Sequence, residues 1–281
     1  MPIVEIFQYD FMQRAFLAGV ITAVICPLLG LFVVVRRQAL IGDGLGHIAF
    51  AGVTGGYLSG IYPAAGAFIL TIAGAIGIER IRRRRTQMAD TALAIFFYSG
   101  ISLAIIFSTI TRIPSASLLG FLFGSILTVT WQDVLVIAGC GVLVSAFILG
   151  NYNKLVLVVF DEDVARVAGI RTDAVNMIIS IVTAVTVVTG MMVVGILMVS
   201  ALMIVPVAAA EQLGKGFKAT SAWAVVIAIV SVIFGLPASF YLDIAPGGSI
   251  ILAAILLYIA ATVFRQLRYT RRRAGQIQKY T

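Results

Sequence analysis

Asp43 and His47 stand four residues apart, and His47 is the chain's single histidine. They fall in the stretch Arg36-Arg37-Gln38-Ala39-Leu40-Ile41-Gly42-Asp43-Gly44-Leu45-Gly46-His47 of an otherwise apolar protein. On a helix, positions i and i+4 share one face about 6 Å apart, so a carboxylate and an imidazole at this spacing can grip one cation. Carboxylate oxygen and neutral imidazole nitrogen suit Zn²⁺ and Mn²⁺, whereas Cu(I) would call for cysteine or methionine ligands, and none is adjacent. Two ligands are fewer than the four of a closed structural zinc site, which suits an ion that must leave as well as enter. Two other readings stay open at this point. The pair can bond to each other or cap backbone freed by Gly42, Gly44 and Gly46, or it can relay protons.

The depth of the pair follows from its flanks. If helix runs on from Arg37 at about 1.5 Å per residue, Asp43 lies roughly 9 Å and His47 roughly 15 Å beyond, and half a ~30 Å hydrocarbon layer is about 15 Å. That would place the pair near mid-membrane. A charge there costs at least ~2.5–3.5 kcal/mol, so an ionisable group is expected to face a cavity or a partner.

Composition makes a membrane setting necessary. The 281 residues are 61% hydrophobic and only 11% charged, with a mean hydropathy of +1.08, whereas soluble domains carry about a quarter charged residues. Glu5 and Asp10 precede the first apolar run without a basic stretch or small-residue cleavage site, so no removable signal peptide is expected. Cys26 and Cys140 lie in apolar spans with no C-x-x-C partner and read as small hydrophobes. The net charge of +8 does not signal nucleic acid, because the basic residues punctuate apolar runs and act as orientation signals.

Apolar spans are expected at 11–35, 40–60, 61–79, 89–111, 131–149, 173–193, 194–212, 219–240 and 247–264. The second is the weakest, so the expected fold is an all-α polytopic bundle of eight or nine transmembrane helices in one domain, residues 1–281. With the N-terminus outside and the C-terminus inside, only Arg14 and Arg112 of the 20 basic residues are external, leaving 18 cytoplasmic, including the tail 265–281. The run Arg82-Arg83-Arg84-Arg85 reads as a topology anchor, with a docking patch for a partner or for anionic lipid headgroups as the alternative.

Two interruptions break this pattern. Between Pro114 and Trp131, an apolar segment broken by Gly120 and Gly124 reads as a short or re-entrant helix lining a cavity, or as a surface loop with an interfacial tryptophan. Between Asn151 and Asp173, the acids Asp161, Glu162 and Asp163 are followed by Val164, Ala165, Arg166, Val167, Ala168, Gly169 and Ile170. Acids at a helix start and a glycine at its end predict a short helix outside the bilayer, covering the bundle's inner end or docking another subunit.

The chain carries no G-x-x-x-x-G-K-[S/T] motif, so ATP hydrolysis, if used, must come from a partner. The other acids, Glu79, Asp90, Asp133, Glu211 and Asp243, fall at or near predicted span ends, which favours a partner-driven pump over the alternative, a self-sufficient ion- or proton-coupled exchanger. No catalytic residue and no permanently bound cofactor is expected.

Several stretches together resemble a known family. They are Gln8 to Leu17, Arg36-Arg37-Gln38 with Asp43 and His47, Phe121 to Leu127, Asp161 to Ile170, Val194 to Pro206, and Tyr241-Leu242-Asp243 through Gly247. In order and spacing they are similar to the membrane permease of bacterial ABC importers for zinc and manganese, with the zinc branch favoured by the N-terminal run and Arg36-Arg37-Gln38. The resemblance implies a homodimer in the inner membrane, two cytoplasmic ATPase subunits that use ATP, and an extracytoplasmic metal-binding protein that delivers the ion. It further implies that Asp43 and His47 carry the transported Zn²⁺ or Mn²⁺. The segment Asp161, Glu162, Asp163, Val164, Ala165, Ala168, Gly169 and Ile170 would be the coupling helix seated in a groove of the ATPase. One departure is Gly46, where family members often have a serine before the histidine.

Overall fold

The computed structural model describes residues 8–84 and 89–277. Glu5, Arg85 and residues 278–281 of the basic tail lie outside the described residues. All regular structure among the described residues is helical: α1 (Asp10–Val35), α2 (Ile41–Ser59), α3 (Pro63–Arg84), α4 (Ala89–Thr111), α5 (Ser115–Phe123), α6 (Trp131–Gly150), α7 (Tyr152–Phe160), α8 (Glu162–Val167), α9 (Thr172–Val194), α10 (Ile196–Leu213), α11 (Phe217–Leu242) and α12 (Pro246–Ile277).

Eight of these are long and apolar enough to cross a membrane: α1, α3, α4, α6, α9, α10, α11 and α12. Helix α2 is not among them, because Asp43, His47 and six glycines dilute its 19 residues. It nevertheless runs between the same two ends of the bundle. Ile41 lines a cavity with Glu79, Arg82 and Arg166, while Tyr57 lines another with Tyr62 and Asp133. The two expected counts therefore describe one architecture, eight apolar helices and a ninth, polar one held inside them. We call the arginine-rich end the basic end.

Helix α1 packs against α6, α9, α10 and α11, and α2 against α3, α4, α9 and α10. Lipid supplies no hydrophobic drive between helices, so close backbone approach must do that work. At the α2–α3 crossing, a Cβ on Gly52 would lie 2.5 Å from the Gly66 carbonyl oxygen, and one on Gly66 2.3 Å from that of Gly52. Only glycine fits at either position.

The segment 114–131 contains the short helix α5 and then irregular backbone, packed on protein. Gly124 has φ +80° and Gly195 φ +89°, and a Cβ on Gly195 would sit 2.3 Å from the Gly124 nitrogen. Such backbone is tolerated at depth only when protein covers it. Here the α9–α10 junction does so, and the expectation of a short helix beside a cavity holds.

Candidate functional site

Helix does not run on from Arg37 as the sequence suggests. Arg37 has φ +56°, and the Arg37 and Gln38 amides turn back to the Val34 and Val33 carbonyls at 2.9 and 3.0 Å, so α2 starts afresh at Ile41. Asp43 therefore stands in its first turn, about 3 Å along the axis from Ile41, and His47 about 9 Å along. Height in the bundle is set by neighbours instead. A Cβ on Gly100, halfway along α4, would lie 2.7 Å from the His47 carbonyl carbon, and one on Gly74, halfway along α3, 2.7 Å from the Ile48 side chain. The histidine is thus at mid-height of α3 and α4.

Which way the pair faces follows from what α2 packs against, at about 100° per residue. Gly42 and Gly46 abut Ser200 and Ile196 of α10, Gly44 and Gly55 abut Leu93 and Phe107 of α4, and Gly52 abuts α3. Asp43 and His47, about 40° apart around the axis, occupy the remaining arc between α10 and α4, and both are half-buried. Phe97 of α4 stands edge-on to the imidazole, centroids 4.4 Å apart. Among the described residues no third His, Cys, Asp or Glu joins them. The Ser200 hydroxyl, buried against Gly42, has no hydrogen-bond partner.

Below the pair, the basic end holds a cavity of about 500 Å³ lined by residues of the α1–α2 turn, α3, α4, α8 and α9. Glu79 is 1% exposed and accepts from Arg82 Nη2 at 2.6 Å and Ser180 Oγ at 3.0 Å. Arg83 pairs with Asp173. Burial first, then Arg82, lowers the Arg36 guanidinium to about 10, which leaves it cationic at neutral pH.

Helix α8 is built as its sequence predicts. Asp161 Oδ1 accepts from the Asp163 and Val164 amides at 3.1 and 2.9 Å. At the other end Gly169 (φ +81°) turns the chain, with the Gly169 amide donating to Arg166 and the Ile170 amide to Ala165 at 3.1 and 3.0 Å, the Schellman closure. Glu162 accepts from Arg166 at 3.4 Å and from Asn176 at 3.2 Å, which ties α8 to α9. Asp161, Glu162, Asp163, Val164, Ala168 and Gly169 are exposed and Ile170 is half-buried. Ala165 is fully buried and faces the bundle, so it cannot belong to a docking face. Val167, not singled out from sequence, is 91% exposed. The i, i+3, i+4 spacing of Val164, Val167 and Ala168 was the signal for that outward apolar face.

At the opposite end the Tyr62 hydroxyl donates to Asp133 Oδ1, and Asp133 Oδ2 accepts from Thr130 N at 2.9 Å and Oγ1 at 2.7 Å. This joins the α2–α3 turn to the start of α6. Sequence reasoning placed Asp133 only at a span end.

The amino-acid sequence matches the ABC 3 transport family over residues 8–265. The chain belongs to this family. With its apolar helices, that makes it a multi-pass membrane transport permease. It is 30% identical to the "Manganese transport system membrane protein MntC" of Halalkalibacterium halodurans over 92% of this chain and 89% of that one. It is 28% identical to the "High-affinity zinc uptake system membrane protein ZnuB" of Haemophilus influenzae over 92% of this chain and 99% of that one. The solved structure of PsaBC from Streptococcus pneumoniae in complex with Fab shares the fold, with a TM-score of 0.85 at 24% identity, covering 95% of this chain and 99% of that one.

Proposed function

We propose that this chain is the translocation subunit of an ABC importer for a divalent transition metal, Zn²⁺ first and Mn²⁺ next, and that Asp43 and His47 hold the ion in transit. The observation that carries the reading is the packing of α2: its glycines and alanines commit the other arcs to α3, α4 and α10, leaving Asp43 and His47 on the open one. The names of the MntC and ZnuB relatives support a metal cargo and leave both metals in play. One carboxylate and one imidazole bind weakly, and water or a second copy of the chain across the groove completes the shell, giving a homodimer. Weak, shared coordination lets the ion go again.

The energy comes from a cytoplasmic ATPase that docks on α8 through Val164, Val167 and Ala168, and the ion is delivered by an extracytoplasmic metal-binding protein. The 18 inward basic residues orient the chain in the bacterial inner membrane with its C-terminus cytoplasmic. The acid N-terminus of α8 and its bond to Asn176 give a push on that helix a direct route to α9.

In a strain lacking the transporter, uptake of zinc and of manganese is the deciding measurement. Asp43→Ala and His47→Ala each reduce uptake by about a hundredfold or more, while both variants still assemble with the ATPase. Wild-type uptake by both would overturn the assignment. Val167→Asp reverses the pattern: Asp43 and His47 are intact, and ATPase co-purification is lost.

A further inference from the structure

We propose that the cavity at the end opposite the arginines is a receiving site for a hydrated divalent cation, with Asp133 as its carboxylate, separated from Asp43 and His47 by an apolar plug. The inference rests on the transport reading above. The cavity is about 370 Å³, and its wall carries oxygen donors from Tyr62, Ser125, Thr128, Thr130 and Asp133, with no lysine or arginine. Of the roughly four lone-pair directions a carboxylate offers, three are taken, by the Tyr62 hydroxyl and by Thr130 N and Oγ1. One is left for an ion or its water. Carboxylate, hydroxyl and water oxygens suit a hard divalent ion that has kept part of its hydration shell.

The cavity is aligned with the transit pair. At about 100° per residue, Phe50, Thr54 and Tyr57 fall on the same arc of α2 as Asp43 and His47, and Tyr57 lines the cavity about 15 Å further along. Between them the way is dry: Phe50, Phe121, Met191, Met192 and Ile196 form one apolar cluster, and Tyr57 meets Phe121 edge-on with centroids 6.3 Å apart. An apolar constriction stops a hydrated ion until it widens. Phe121 is carried on α5, whose end at Gly124 rests on the Gly195 backbone. The ion would wait at Asp133 until α5 shifts.

The test uses the permease purified with its ATPase in nanodiscs, without nucleotide, titrated with Mn²⁺ and followed by electron paramagnetic resonance. In an Asp43→Ala/His47→Ala background one Mn²⁺ remains bound. Adding Asp133→Asn weakens it about tenfold or more, whereas Tyr62→Phe, which keeps the carboxylate charge, retains it. Absence of bound Mn²⁺ in the background, unchanged affinity with Asp133→Asn, or equal loss in both added variants would overturn the receiving site. Uptake by the Asp43→Ala/His47→Ala protein is scored separately: wild-type uptake there refutes the transit pair and leaves the Mn²⁺ titration to judge Asp133.

Discussion

The two ends of the bundle are held together by different chemistry. At the basic end, buried Glu79 gathers Arg82 and Ser180, half-buried Arg36 lines the same cavity, and the exposed Arg83–Asp173 pair bridges α3 to α9. Toward the other end, one carboxylate, Asp133, is bonded by a tyrosine and a threonine, and backbone meets backbone at Gly124 and Gly195. Charge networks rearrange by exchanging partners, whereas a glycine contact can only slide or separate. On the proposed docking of an ATPase at α8, the basic end would answer a push by exchanging partners, and the opposite end by separating.

Three substitutions separate these devices. Gly195→Leu has the largest effect: the left-handed backbone and the 2.3 Å approach to Gly124 leave no room, so the cost exceeds roughly 4 kcal/mol, and size-exclusion chromatography should show no folded protein. A monodisperse peak would mean that this backbone contact is not needed for folding. Glu79→Ala comes next, at about 3–5 kcal/mol, because it strands Arg82 and Arg36 without their buried counter-charge. The thermal midpoint in detergent should fall accordingly, and recover in part with Glu79→Gln. An unchanged midpoint would remove Glu79 as the organiser of the basic end. Arg83→Ala is smallest, about 0–1 kcal/mol, since both partners are about half exposed and the pair is screened by salt. Its effect should vanish at high ionic strength.

Much of this was legible in the sequence because hydropathy and helix signals act locally. The apolar spans, the Asp161 and Gly169 boundaries of α8 and the polar weakness of α2 are set by residues within a turn or two of each other. Arg37 shows the limit: nothing in Arg-Arg-Gln announces a left-handed residue, so helix does not run on from it into α2, and the pair's height depends on Gly100 and Gly74, far along the chain. Ala165 and Val167 are similar small hydrophobes in sequence, and only the seating of α8 on α9 buries one and exposes the other. The bond between Tyr62 and Asp133 spans 71 residues, beyond the reach of any spacing rule. Family resemblance supplied the role proposed for Asp43 and His47, while the glycine contacts supplied their direction.

Both members of the pair belong to one unbroken helix. Their separation is therefore a constant of the backbone, like the gap between two teeth on a rigid comb, and motion of the surrounding helices does not stretch it. On the proposed transit role, whatever changes the grip on an ion approaches or withdraws across the groove between α4 and α10, and α2 serves as the fixed jaw.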